Sequence, residues 1–227
     1  MFSLDRVVPW GRSYDEYCRM FALTGDDLRL RILGCGDGPA SFNAEATRRG
    51  SRVVSVDPLY RFTRTQILER ITETRDEVLD QTRRNAHEFV WEEIPSVDAL
   101  DRLRMSAMSA FLDDFERGQI DGRYVDGELP ALPFSDNAFG LALCSHLLLL
   151  YEAQLGEEFH VRAVRELCRV ATEVRIFPLL ALGGRRSSLL EPVVDMLRRE
   201  GFTASVDAVP YEFVRGGNEM LRITRSS

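Results

Sequence analysis

The chain has 227 residues, 44% of them apolar and 29% charged, and carries a formal net charge of −7. That suits one globular domain with a sizeable core and argues against non-specific binding to nucleic acid. All 29 basic residues are Arg, which excludes a Schiff-base lysine and the lysine of a Walker-type phosphate loop. The first ten residues lack the apolar run of a signal peptide, and the apolar run 139–151 is too short to span a bilayer and contains Ser145 and His146. We therefore expect a cytoplasmic protein with no membrane partner. Cys18, Cys35, Cys144 and Cys168 form no Cys-x-x-Cys pair, so free thiols are expected rather than a zinc site or a disulfide framework.

In chain order, Ser13 is placed to cap a helix over residues 13–24, with Tyr14, Tyr17, Met20 and Phe21 at helical spacing. Residues 29–34 alternate as a strand, Gly34-Cys-Gly-Asp-Gly38 forms a turn, and 40–49 reads as a short helix that Pro39 introduces and Gly50 closes. A second strand, 52–56, stops at Asp57-Pro58. Residues 62–118 then carry no strand signal. Apolar residues recur at helical spacing over 63–93, Pro95-Ser96 breaks and caps, and a stripe of Leu100, Leu103, Ala107, Phe111 and Phe115 runs to a stop at Gly118. Further strands follow at 124–126, 139–144, 174–182, about 203–209 and 219–224, with helices at 157–171 and 188–200.

This alternation predicts an α/β fold whose ligand site lies at the carboxyl ends of the strands. Glycines let a ligand approach the backbone of the turn, and the following helix N-terminus favours a carboxylate. Asp57 can accept two hydrogen bonds from a ribose diol.

Taken together, these motifs resemble those of the class I, Rossmann-like methyltransferases that use S-adenosylmethionine. Ile-Leu-Gly-Cys-Gly-Asp-Gly (32–38) resembles the first glycine motif, Val-Val-Ser-Val-Asp (53–57) the acid after the second strand, and residues 127–139 the segment that lines the adenine. The likeness covers about 29–60 and 123–224. It implies a three-layer sandwich with a mostly parallel seven-stranded sheet and an antiparallel last strand, S-adenosylmethionine as cofactor, and methyl transfer to a small-molecule substrate. It places Gly34, Cys35, Gly36, Gly38, Asp57, Pro58, Glu128, Leu129 and Ser145 on the cofactor, with Glu128 where Asp is usual. One departure stands out: the family's acid before the first glycine is missing, Arg31 and Ile32 occupying that region, although Asp37 is near.

Other readings stay open. Each glycine could serve only a tight turn, Asp57 could cap the turn before Pro58, Glu128 could be a solvated loop residue, and Ser145 could cap the next helix. His146 is either a general base or a buried hydrogen-bonded imidazole. Arg12 could clamp the cofactor's carboxylate or lie in solvent. Tyr14, Tyr17 and Phe21 could cover the cofactor or form the first helix's core face. His87 and His160 offer no paired metal spacing. We read one domain over 1–227, with 62–118 an inserted helical hairpin that is either a lid or a cover for the sheet. Its acceptor and oligomeric state are not legible. The alternatives to a methyltransferase are a non-catalytic cofactor-binding or regulatory module of the same fold and a nicotinamide-dependent oxidoreductase. The glycine run lacks the last glycine expected for a dinucleotide.

Overall fold

A computed structural model describes residues 8–225. Seven strands form one sheet: β1 Arg31–Cys35, β2 Arg52–Val56, β3 Tyr124–Val125, β4 Phe139–Ser145, β5 Ala171–Phe177, β6 Phe202–Ala208 and β7 Glu219–Arg225. Their order is β3-β2-β1-β4-β5-β7-β6. The first five strands are parallel, and β7 runs antiparallel to both β5 and β6. The fold is thus the mostly parallel Rossmann-like sandwich expected from the sequence. The chain moves outward from β1 through β2 to β3, then returns to β4 on β1's other side. This reversal opens a crevice at the carboxyl ends of β1 and β4, where Cys35 is in register with Cys144.

Among the described residues six α-helices, α1 Tyr14–Met20, α2 Phe42–Arg48, α3 Arg64–Arg84, α4 Val97–Ile120, α5 Glu152–Val170 and α6 Leu190–Arg199, complete the layers. Both faces of the central strands are covered, which is why they read as continuous apolar runs. From β1, Leu33 and Cys35 join a core with α5 and α6, while Ile32 joins a second core with Tyr17, Phe21 and Phe42. No described helix is long and apolar enough to cross a membrane.

The insertion between β2 and β3 is a helical pair. Thr63 and Gln66 form a reciprocal capping box at the start of α3, and Ser96 accepts from the Ala99 N–H to start α4. Ile67 and Ile71 of α3 meet Met108, Phe111 and Phe115 of α4 around Tyr60 and Tyr124. A two-pronged bridge from Arg75 to Asp101, with Nε–Oδ1 at 2.8 Å, ties the helices across their faces.

Several boundaries differ from the sequence reading. Helix α1 ends at Met20, because Phe21 leaves helical geometry and Ala22 has φ 45°. Residue 29 lies in a short 3-10 turn, Asp27–Arg29, so β1 begins at Arg31. The strand expected over 174–182 starts three residues earlier and stops at Phe177, since Pro178 has no N–H to continue a ladder. Helix α5 begins five residues before the expected 157, with a break inside it at Gly156, φ 74°.

Gly118 does not stop α4. The helix passes through it to Ile120, and the missing side chain instead admits the Tyr124 ring, 2.3 Å from where a Cβ would stand. That ring is held by Tyr60, Phe111 and Phe115, with centroids at 5.3, 5.3 and 5.6 Å. Gly118→Ala is therefore expected to destabilise the fold by about 1–3 kcal/mol through overpacking, lowering the urea midpoint at constant slope. An unchanged midpoint would mean that the Tyr124 ring yields freely.

Candidate active site

At the carboxyl ends of β1, β2 and β4 the chain encloses a cavity of about 560 Å³, in the size range of small-molecule sites. Of the residues singled out from the sequence, Arg12, Cys35, Gly36, Asp57, Pro58, Glu128, Leu129, Ser145 and His146 line it; Gly34 and Gly38 do not.

The glycine turn is shaped from within. Gly36 has φ 70° and Gly38 φ 52°, a left-handed backbone that glycine adopts without strain. Gly34 is needed for a different reason: a Cβ there would stand 1.8 Å from Oδ2 of Asp37. The Asp37 carboxylate thus folds back onto β1. There it accepts from the Tyr17 hydroxyl (2.8 Å) and the Ser55 hydroxyl (2.6 Å), with Asn43 Nδ2 donating in turn to Ser55 Oγ at 3.1 Å. Burial pushes the Asp37 carboxyl up to about 6 against the pull of those two hydroxyls.

Asp57 clamps the turn. Its two oxygens accept the N–H groups of Gly38 and Leu59, each at 2.8 Å. Each oxygen keeps a lone pair that can face the cavity. Burial pushes this carboxyl also up to about 6, outweighing the two N–H donors, with Glu128 adding to the rise. Glu128 itself is exposed at the rim, whereas Leu129 is buried beneath it. The expected acid before Gly34 is absent in space as in sequence: Ile32 is buried in the core, and Arg31 stacks on the Phe139 ring at 4.8 Å, away from the cavity.

His146 follows β4 with φ 54°, its N–H donating to the Phe177 carbonyl at 2.7 Å. Its ring stands edge-on to Phe177, and its Nδ1 is 2.8 Å from Ser145 Oγ. Two hydrogen-bonded pairs therefore lie close together here, His146 with Ser145 and Tyr17 with Asp37. Burial, then the charges of Arg12 and Arg104, hold the imidazole well below its ordinary value, so the ring is neutral near pH 7. Tyr14 and Phe21 are core residues; of the three aromatics in this region only Tyr17 reaches the cavity.

Arg12 enters from the N-terminal segment. Its carbonyl accepts the Ser41 N–H at 3.0 Å, so the segment itself occupies a donor at the start of α2 that a ligand carboxylate was expected to use. The Arg12 guanidinium donates to the Trp10 carbonyl, and its buried Nε has no partner among the described residues. Burial and the nearby Arg104 lower Arg12 to about 10, leaving it charged.

The sequence reading missed Arg104 and Glu16, each 1% exposed. Arg104 donates to Glu16 Oε2 at 2.6 Å, and the Tyr211 hydroxyl donates to Oε1 at 2.9 Å. Burial alone would raise the Glu16 carboxyl, but Arg104 and then Arg12 hold it at about 2. The signal for Arg104 was present: it falls between Leu100 and Ala107 on the apolar face of α4, where a charge is out of pattern. Among the described residues no group of three His, Cys, Asp or Glu side chains is arranged to hold a metal, and all four cysteines are free.

The strand order and the crevice define a class: this is the Rossmann-like fold of the class I methyltransferases. Magnesium protoporphyrin IX methyltransferase (ChlM) from Synechocystis PCC 6803 with bound SAM is similar with a TM-score of 0.50 and 12% identity, covering 94% of this chain and 78% of that one. The structure of the same enzyme with bound SAH gives a TM-score of 0.48 at 12% identity, covering 94% and 82%. No family model matches the sequence. The chain is 33% identical over 224 residues, 98% of each protein, to the uncharacterized protein MJ0045 of Methanocaldococcus jannaschii, and it belongs to that protein's family.

The raised Asp37 carboxyl makes a thermodynamic prediction. A carboxyl with a higher value folded than unfolded favours the fold in its protonated form. Its contribution is full below about 4, the unfolded value, and is lost as pH rises through about 6. Between pH 4.5 and 7.5, Asp37→Asn should remove a loss of stability on the order of 2 kcal/mol. Urea denaturation of both proteins at the two pH values measures it, and parallel behaviour of wild type and variant would count against the assignment.

Proposed function

We propose that the protein transfers the methyl group of S-adenosylmethionine to a small-molecule acceptor. The observation that carries this reading is Asp57: a half-buried carboxylate at the end of β2, fixed by Gly38 and Leu59, with an acceptor site left on each oxygen. A ribose diol offers the two donors that such a group lacks. Glu128, Leu129 and Pro58 flank the same part of the cavity and would bound the adenosine. The unpartnered Nε of Arg12 fits the carboxylate of the cofactor's methionine end, with Gly36, Cys35 and Ser145 between the two ends.

When bound, the cofactor supplies an electrophilic methyl group on a sulfonium. The chain's own part is to place the acceptor in line with that methyl and to exclude water. Neutral His146 can take a proton from the acceptor at Nε2 while Nδ1–H faces Ser145. Since burial disfavours the imidazolium, the proton is best passed on from Nδ1 to Ser145, with Asp37, at about 6, the nearby group able to keep it. The α3–α4 hairpin lines the acceptor side through Thr74, Val78, Leu100 and Arg104, which supports its role as a lid.

Calorimetric titration with S-adenosylmethionine, S-adenosylhomocysteine and NAD tests the reading. We expect both adenosyl compounds to bind and NAD not to. Asp57→Ala should weaken them by about tenfold or more, the effect of losing charge-assisted hydrogen bonds. Binding of NAD alone would replace this reading with that of an oxidoreductase.

A further inference from the structure

Arg104 has no place in the cofactor site just described. It comes from α4 of the insertion, lines the cavity, is 1% exposed, and has a buried Nε with no partner among the described residues. An unpaired donor on a buried cation is destabilising unless something accepts from it. Charge points the same way. Arg12 and Arg104 lie close enough for each to feel the other, and Glu16 is the carboxylate that faces both. His146 is neutral and adds nothing. The cluster therefore holds one positive charge in excess, in surroundings of low polarity where such a charge is costly.

The methionine end of the cofactor would not remove this excess, because its carboxylate is matched by its own ammonium and its sulfonium adds a positive charge. Arg12 is tied through its backbone to the start of α2, its carbonyl accepting the Ser41 N–H. Arg104 lies beside Tyr211, and Val78, Phe89, Leu100, Leu180 and Phe213 give the same cavity an apolar wall. The guanidinium fork matches a carboxylate, and Arg12 with Arg104 outnumber Glu16, the one carboxylate that Arg104 holds.

We infer that the methyl acceptor is an organic acid with an apolar body, its carboxylate held by Arg104 and its body lying against the apolar wall between the insertion and the C-terminal loop. This rests on the methyl-transfer reading for the ligand's role as acceptor; the acid site itself stands on the Arg104 geometry.

Cinnamate and cinnamamide, an acid and its neutral counterpart of the same shape, are suitable probes. Each is titrated by calorimetry into the protein saturated with S-adenosylhomocysteine. The acid should bind about tenfold more tightly than the amide, as a charge-assisted pair predicts. Arg104→Gln should abolish that preference and leave the affinity for S-adenosylhomocysteine within about twofold. If the single variant does not fold because Glu16 is left unpaired, the double variant Glu16→Gln/Arg104→Gln is read in the same way. Equal binding of acid and amide, or binding of neither, overturns the inference. So does an Arg104→Gln variant that loses S-adenosylhomocysteine and keeps the acid preference, which would assign Arg104 to the cofactor. An acid preference in a protein that binds no S-adenosylhomocysteine keeps the acid site and rejects methyl transfer instead.

Discussion

Glu16 is where three distant parts of the chain meet. As the third residue of α1 it closes the capping box with Ser13, whose N–H and hydroxyl approach Oε2 at 2.9 and 3.0 Å. The same oxygen accepts from Arg104 of the insertion, and the other accepts from Tyr211 of the C-terminal loop. A buried carboxylate is tolerated only when its lone pairs are filled, and removing one partner of such a pair costs about 3–5 kcal/mol. The residue that starts a short helix therefore also fixes how the N-terminal segment, the hairpin and the loop before β7 close around one cavity. Arg12 lies four residues before it and His146 faces the same cluster, so the electrostatics of the site are set from this point.

Two carboxyls near 6, those of buried Asp37 and half-buried Asp57, and one near 2, that of buried Glu16, sit within the same region. The difference is not one of depth. Asp37 and Asp57 accept only from hydroxyls and backbone N–H groups, which do not fully offset desolvation, whereas Glu16 has guanidiniums beside it. The turn side of the cavity can thus take up protons near neutrality while the Glu16 side cannot. That division suits a site that must move a proton at one end and hold a fixed charge at the other.

The sheet was legible because its order follows from local patterns: apolar runs of strand length, a glycine turn and an acid closing the second strand. Helices α3 and α4 likewise follow the apolar periodicity and the Ser96 cap. Details that depend on contacts between distant residues were not legible. Arg104 was hidden because a stripe is found by its apolar members, and the one charged residue on the stripe was passed over. Gly118 looked like a helix stop because the ring of Tyr124, which needs the space, lies beyond the helix. Asp37 was seen as close to the expected place of an acid, but its direction is set by Tyr17 and Ser55, from α1 and β2. The α2 N-terminus looked open because the segment around Arg12 covers it from another part of the chain.

The contact between Gly34 and Asp37 has a consequence for how this protein's relatives vary. With a Cβ placed 1.8 Å from the carboxylate, the first glycine and the acid three residues on behave as one unit of inheritance. A lineage that gains a side chain at the first position must shorten, turn or lose the acid at the second, and one that drops the acid frees the glycine to drift. The two positions should therefore covary among family members, while Gly38, held by backbone angle, and Gly36, held by its angle and by Leu147 Cδ2 at 2.7 Å from a Cβ, stay glycine on their own account.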